Sequence, residues 1–131
     1  MVMAHDSTMI GTDGLDRGSK PHPRAWGTYP RILGKYVREE GVISLENAIY
    51  KMTYMPASKF GIVNRGLIKE GYFADLVIFD PDTVSDLATY QNSRGGPAGM
   101  PHVIVNGKLA VRDGKHLGTR SGRALRRGEI Y

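Results

Sequence analysis

The sequence changes its pattern after Gly61, and this change constrains the fold more than any other feature. Up to Gly61, apolar residues recur at the three- and four-residue spacing of helices, whereas short apolar runs bounded by Gly, Pro and Asn-Gly follow it. Helices therefore come first and strands follow. We predict an α+β fold with one unit at residues 1–61 and a β-rich unit with a basic C-terminal tail at residues 62–131.

Two or three helices are predicted between about residues 30 and 60. The first carries Pro30 in its first turn and stops at Gly41, and the second begins at Ser44, a residue type that caps helix N-termini. Pro56 interrupts the second helix and opens a short third turn, which Gly61 closes.

A short strand and a long loop are predicted before these helices. Ser7 to Thr12 contains β-branched residues and ends at Asp13-Gly14, a turn dipeptide. The loop that follows runs to about Thr28 and contains Pro21-His22-Pro23-Arg24, in which two prolines disfavour a regular helix.

The second unit is predicted to form a small antiparallel or mixed sheet. Ala74 to Asp80 is an apolar strand stopped by proline, and two β-rich runs between His102 and Gly114 flank Asn106-Gly107, a strong hairpin signal. Residues 82–101 show little periodicity and contain a Gly/Pro cluster. We therefore expect residues 82–101 to form an extended surface loop.

Length and composition exclude several classes of protein. A complete (β/α)₈ barrel needs roughly 200 residues or more, and this chain has 131. The absence of cysteine excludes disulfides, thiolate metal sites and cysteine nucleophiles. No apolar run approaches the roughly 20 residues of a membrane span, and the first residues lack a signal-peptide pattern. We expect a cytoplasmic protein that does not enter membranes.

The net charge is +5, and the basic excess is concentrated near the C-terminus. Four arginines crowd into eight residues there, namely Arg120, Arg123, Arg126 and Arg127. Such clusters occur in nucleic-acid-binding proteins, but a basic end is more often a solvated one. A basic nucleic-acid-binding domain therefore remains an alternative function.

Two residues near the N-terminus are candidates for chemistry. Asp13 directly follows the predicted strand, where α/β folds present functional groups, although Asp-Gly is also an ordinary turn. Arg24 has a guanidinium that suits a carboxylate, although a solvated charge is the simpler interpretation. The four histidines show no metal-ligand spacing, and Asp75, inside a strand, is predicted to face solvent or bind backbone donors. Composition and spacing alone define no reaction.

Six segments of the chain form a recognisable ordered set. They are Thr12-Asp13-Gly14, Pro21-His22-Pro23-Arg24, Trp26-Gly27-Thr28-Tyr29-Pro30-Arg31, Lys51-Met52-Thr53 with Pro56-Ala57 and Phe60-Gly61, Gly66 through Pro81, and Val105-Asn106-Gly107. Together they resemble, in order, the C-terminal part of the N-acyl-D-amino-acid deacylases (D-aminoacylases) of the amidohydrolase superfamily, and the resemblance covers about Met9 to Arg127. The later ones occur in many amidohydrolases, and the first three narrow the resemblance to the D-aminoacylase branch.

The resemblance implies a longer parent enzyme with a (β/α)₈ barrel and a small β-sandwich. Met9 to Thr12 would be the eighth barrel strand, residues 30–60 the final helical layer, and residues 66–114 part of the sandwich. The parent would be a metal-dependent hydrolase, with zinc as the expected divalent metal. Its metal ligands lie upstream of everything in this chain, so no metal ligand is predicted here.

The resemblance also implies roles for individual residues. Asp13 would be the catalytic carboxylate, which takes a proton from the metal-bound water and later delivers it to the leaving amine. Arg24 would bind the α-carboxylate of an N-acyl-D-amino acid, and His22 and Trp26 are weaker loop candidates.

The ligands missing from this chain imply that it does not act alone. We expect the isolated chain to be inactive and to work with an upstream barrel chain or as a homo-oligomer. The alternative within a split enzyme is a non-catalytic, β-rich partner module.

Overall fold

The first half of the chain is helical in a computed structural model that describes residues 2–128. A short 3₁₀ turn spans Val2–Ala4, helix α1 spans Arg24–Arg31, and a π-helical segment spans Ile32–Glu39. Helices α2 and α3 span Leu45–Met52 and Tyr54–Phe60. Within residues 2–128, no helix combines the length and the apolar composition needed to cross a bilayer.

Three predicted helix ends are confirmed. The Ser44 side chain accepts a hydrogen bond from the backbone N–H of Asn47 at 3.2 Å and so caps α2. Gly41 and Gly61 follow the π-helical segment and α3 with φ of 59° and 65°, the left-handed conformation that ends helices. The break between α2 and α3 lies at Thr53 and not at Pro56, because a proline is tolerated in the first turn of a helix.

The first helix begins six residues earlier than predicted, at Arg24 instead of Pro30. Pro23 takes the N-terminal position, because its fixed φ suits a helix start and its missing N–H needs no partner there. Pro30 lies inside α1, where it cannot donate to the carbonyl four residues back. The hydrogen-bond spacing then lengthens, as in the 2.9 Å bond from the N–H of Glu40 to the carbonyl of Lys35.

The strand predicted at Ser7 to Thr12 does not form. This segment is irregular, and one of its few backbone bonds to the rest of the chain joins the N–H of Ile10 to the carbonyl of Lys51 at 3.1 Å. A strand needs a neighbouring strand to receive its hydrogen bonds. Within residues 2–128, the only sheet lies in the second half of the chain, and Ser7 to Thr12 does not pair with it.

The second half contains a four-stranded antiparallel sheet in the order β1-β2-β3-β4. The strands are β1 (Leu76–Ile78), β2 (His102–Val105), β3 (Lys108–Arg112) and β4 (Lys115–His116). The predicted hairpin is confirmed: Asn106 and Gly107 have φ of 48° and 75°, the left-handed pair that a tight two-residue turn requires. The strand predicted at Ala74 to Asp80 is shorter, because only its centre pairs with β2.

Residues 82–101 are irregular as predicted, and half of them are exposed, but part of the segment is buried. Val84 is fully buried and packs in the core with Ile32, Leu33, Ile43 and Ala48. Ser85 and Ala98 pair across the segment, which folds it back on itself. The sequence did not predict this burial, because glycines, and not apolar periodicity, let this backbone approach the helices.

A polar network ties the sheet to the segment before it. The guanidinium of Arg65, which is 9% exposed, forms an ion pair with Asp75 and donates to Asn106 Oδ1 at 2.6 Å. Asp75 also accepts from the backbone N–H of Asn106 at 2.8 Å. Of the two alternatives predicted for Asp75, exposure to solvent or binding to backbone donors, the structure shows a bond from a backbone donor. Asn106 Nδ2 donates to the carbonyl of Ser121 at 2.6 Å, which holds the C-terminal segment against the hairpin.

Candidate active site

Asp13 and Arg24 lie together where the N-terminal segment meets the start of α1. Asp13 adopts a φ of 46°, a left-handed conformation that Asp tolerates better than most residues. The next residue, Gly14, lies against α1 so closely that a Cβ there would be 3.0 Å from the Cα of Ala25. The turn therefore brings Asp13 to the first residue of α1, which is Arg24.

The two side chains form an ion pair. Arg24 Nη2 lies 2.8 Å from Asp13 Oδ2, and Arg24 Nε donates to the backbone carbonyl of Asp13 at 2.9 Å. Both side chains remain accessible, with 79% of Asp13 and 44% of Arg24 exposed. Exposed ion pairs contribute at most about 1 kcal/mol. Either partner can therefore exchange the other for a ligand at little cost.

His22 holds the start of α1 in place. Its Nδ1 accepts a hydrogen bond from the backbone N–H of Arg24 at 3.0 Å, so the proton of the neutral ring is on Nε2. Nε2 lies 3.0 Å from the hydroxyl of Tyr90, and the two rings meet edge to face. Both ring nitrogens are thus engaged, and His22 orients the backbone that carries Arg24.

A cleft of about 440 Å³ opens beside this turn. Its lining includes His22, Arg24, Arg31, Asp86 and Tyr90. Arg31 Nη1 donates to Asp86 Oδ2 at 3.0 Å, and this hydrogen bond raises the pKa of Arg31 above its usual value. Trp26, although 43% exposed on α1, does not line the cleft.

Three residues of the cleft escaped the sequence analysis as site residues. Tyr90 and Asp86 lie in the aperiodic segment 82–101, and Arg31 was given no role of its own in the segment that it ends. The Pro-His-Pro-Arg segment indicated the loop, but no local signal shows that residue 90 returns to it across 68 positions.

The described residues do not form a metal site by themselves. Within residues 2–128, no group of three or more His, Asp or Glu side chains is placed to hold an ion. Asp13 is engaged by Arg24, both nitrogens of His22 have partners, and the chain contains no cysteine. A metal ion would need ligands from additional polypeptide.

Comparison with known proteins connects this chain to hydrolases. The profile described as "Amidohydrolase family" matches residues 1–111. The D-aminoacylase of Alcaligenes xylosoxydans xylosoxydans is 47% identical over 96% of this chain and 26% of its own length. A solved D-aminoacylase, a protein with a binuclear metal centre, superposes with a TM-score of 0.93 at 48% identity, over 96% of this chain and 27% of that one.

A second solved relative is the N-acyl-D-glutamate deacylase of Bordetella bronchiseptica, in complex with zinc and a phosphonate mimic of the tetrahedral intermediate. It superposes with a TM-score of 0.81 at 44% identity, over 83% of this chain and 23% of that one. The resemblance to the deacylases is thus confirmed, and the chain spans about a quarter of the length of the relatives it matches. The chain belongs to the amidohydrolase family.

Proposed function

We propose that this chain is the C-terminal part of a metal-dependent deacylase, and that it supplies two residues to hydrolysis of N-acyl-D-amino acids. The ion pair between Asp13 and Arg24 carries the proposal, since it joins an exposed proton acceptor to an exposed carboxylate-binding group. The 47% identity to a D-aminoacylase supports it. A nucleic-acid-binding function gains no support, because these relatives are hydrolases.

Asp13 is proposed to move the proton in this reaction. Amide hydrolysis adds water to the carbonyl carbon, breaks the C–N bond and leaves a carboxylate and a free amine. The Asp13 carboxylate accepts a proton from the attacking water and delivers it to the nitrogen of the leaving D-amino acid. Its exposure, at 79%, leaves the carboxylate within reach of a substrate.

Arg24 is proposed to bind the α-carboxylate of the substrate. A guanidinium presents parallel N–H donors that match a carboxylate, and Arg24 already binds one in Asp13. When the substrate carboxylate takes that place, Asp13 becomes available for the proton transfer. Binding of the substrate carboxylate to Arg24 therefore frees Asp13 from its ion pair at the same time.

The rest of the enzyme is proposed to come from further polypeptide. That portion would supply the metal ligands, because no group of His, Asp or Glu side chains among the described residues is placed to bind an ion. We propose that residues 1–61 form the end of its barrel, since Asp13 and Arg24 lie there. Residues 62–131 would form the β-rich unit, since all four strands follow residue 61.

Reconstitution with a relative tests this function. This chain would replace the matching quarter of the Alcaligenes D-aminoacylase, and the hybrid would be assayed with zinc on N-acetyl-D-methionine and its L enantiomer. We expect turnover of the D substrate by the hybrid and none by the isolated chain. A folded hybrid without turnover would contradict the deacylase function, and turnover by the isolated chain would contradict the need for further polypeptide.

Arg24→Lys should raise the KM of the hybrid about 10- to 100-fold with a smaller change in kcat. Lysine keeps the charge but loses the two-donor fork, and hydrogen bonds to charged groups contribute about 1.5–3 kcal/mol. Steady-state kinetics on N-acetyl-D-methionine measures the effect. Arg112→Lys, an exposed change on β3, is the matched control. An unchanged KM would exclude Arg24 from substrate binding.

An apolar groove between α2 and β1 is proposed to receive the rest of the enzyme. The groove holds about 650 Å³, and its lining includes Ile49, Tyr50, Leu67, Val77 and Phe79. Ile68, another lining residue, is 93% exposed. The matching quarter of the solved D-aminoacylase has the same fold and belongs to a chain about four times as long. Additional chain is therefore the occupant that we propose.

Ile68→Lys should weaken binding of this chain to the separately expressed remainder of the Alcaligenes enzyme about 10- to 100-fold. Burial of an isoleucine contributes about 1.5–3 kcal/mol, and each 1.4 kcal/mol is a factor of ten in Kd. Biolayer interferometry would measure the Kd, with Leu87→Lys, exposed outside the groove, as the control. Equal affinities would exclude this face, and self-association abolished by Ile68→Lys would identify a second copy as the occupant instead.

A further inference from the structure

Lys51 buries its ammonium group against the N-terminal segment. The residue is only 3% exposed although it carries a charge. Its Nζ donates to the carbonyl of His5, to the carbonyl of Thr8 at 3.0 Å and to the hydroxyl of Thr8 at 3.3 Å. All three donors of the ammonium are thereby used. Within residues 2–128, no carboxylate forms an ion pair with it.

The backbone of Lys51 also forms a hydrogen bond to this segment. Its carbonyl accepts a hydrogen bond from the N–H of Ile10 at 3.1 Å. Lys51 therefore binds residues on both sides of Met9, three to eight positions before Asp13. Since no strand pairs with this segment within residues 2–128, these bonds are its main polar attachment to α2.

A buried ammonium without a counterion is an expensive way to join two segments, because its desolvation is offset only by neutral oxygens. An apolar side chain at this position would bury the same stem without that cost. The lysine instead restricts the conformation of the segment, because three donors on one nitrogen fix the path of residues 5–8. That path determines where the chain reaches the turn at Asp13.

We propose that Lys51 is a positioning residue for Asp13, acting through the segment that runs from His5 to Ile10. The inference rests on the proposed function of Asp13. Loss of the Lys51 ammonium releases the segment and lets the Asp13 carboxylate move away from the substrate amide. The Arg24 guanidinium, which the substrate carboxylate takes over from Asp13, still binds substrate, since α1 and His22 hold the Arg24 backbone.

The test compares Lys51→Met, which keeps the apolar stem, with Lys59→Met, the same change at an exposed lysine of α3. Amide hydrogen exchange on the full chain measures the Ile10 N–H, with Ile104 in β2 as the reference for global unfolding. We expect Lys51→Met to speed exchange at Ile10 more than tenfold without an equal rise at Ile104. Unchanged exchange at Ile10, or an equal rise at Ile104, would overturn the proposal.

The kinetic part uses the hybrid enzyme. Lys51→Met should lower kcat about 10- to 100-fold, as expected for a displaced catalytic group, and leave KM within about twofold. Thr8→Val removes one acceptor and should act in the same direction, while Thr8→Ser, which keeps the hydroxyl, should not. This pair retains the test if Lys51→Met fails to fold. A rise in KM without a fall in kcat would overturn the proposal. An inactive wild-type hybrid with the expected exchange pattern would instead contradict the deacylase function.

Discussion

Asp13→Asn should lower kcat of the hybrid deacylase by about 10²- to 10⁴-fold, the usual contribution of a positioned acid-base group. Asparagine has nearly the same shape as aspartate but cannot accept the proton of the attacking water. Because Asp13 is exposed and lies in an irregular segment, the fold should not change. Turnover of N-acetyl-D-methionine and the melting temperature of the isolated chain would be measured together.

The same substitution at Asp16 provides the control. Asp16 lies three residues further along the same segment, and its carboxylate forms an ion pair with Arg94 at 2.8 Å. Asp16→Asn should therefore leave kcat within about twofold, since an exposed ion pair contributes little. If Asp13→Asn retained full activity, Asp13 would not be the proton carrier, and another carboxylate of the complete enzyme would have to be sought.

Gly99→Ala should destabilise the chain by about 2–5 kcal/mol. Gly99 has a φ of 67°, which costs a residue with a side chain about 1–2 kcal/mol. A Cβ at this position would lie 2.6 Å from the backbone nitrogen of Val84, and such overpacking costs about 1–3 kcal/mol. Urea denaturation followed by circular dichroism would show the shift in the free energy of unfolding.

Gly96→Ala is the matched control three residues earlier. Its Cβ would meet no atom within 4 Å, and its φ lies outside the left-handed region. Removal of a glycine from such a position restricts the unfolded chain and stabilises by about 0.4–1 kcal/mol. Equal stability of the two variants would show that the backbone of residue 99 is not packed against Val84.

The elements that were predicted correctly depend on local chemistry. The Ser44 cap, the left-handed Gly61 and the Asn106-Gly107 turn each follow from one or two residues and their neighbours. The burial of Val84 and the position of Tyr90 depend on contacts between residues far apart in sequence. No local pattern encodes such contacts, and the lack of periodicity in residues 82–101 therefore favoured a surface loop.

The candidate site likewise combines features that local sequence predicts with contacts that only the fold determines. The position of Asp13 after a predicted strand and the Pro-His-Pro-Arg segment made Asp13 and Arg24 candidates from the sequence, with their roles implied by the resemblance. Their mutual ion pair was not predicted, because each was assigned to a different partner. It arises from the close approach of Gly14 to Ala25, which only the folded chain reveals.

Part of the contact between the helices and residues 82–101 is made by backbone. A Cβ at Gly34 would lie 2.6 Å from the carbonyl oxygen of Val84, as close as one at Gly99 would lie to its nitrogen. Side-chain contacts can drift during evolution, because a loss of volume at one position is compensated by a gain at another. Backbone atoms are the same in every residue, so a substitution elsewhere cannot relieve a close contact with the backbone. Positions 34 and 99 are therefore among the points at which this scaffold tolerates little divergence, whatever substrate its relatives adopt.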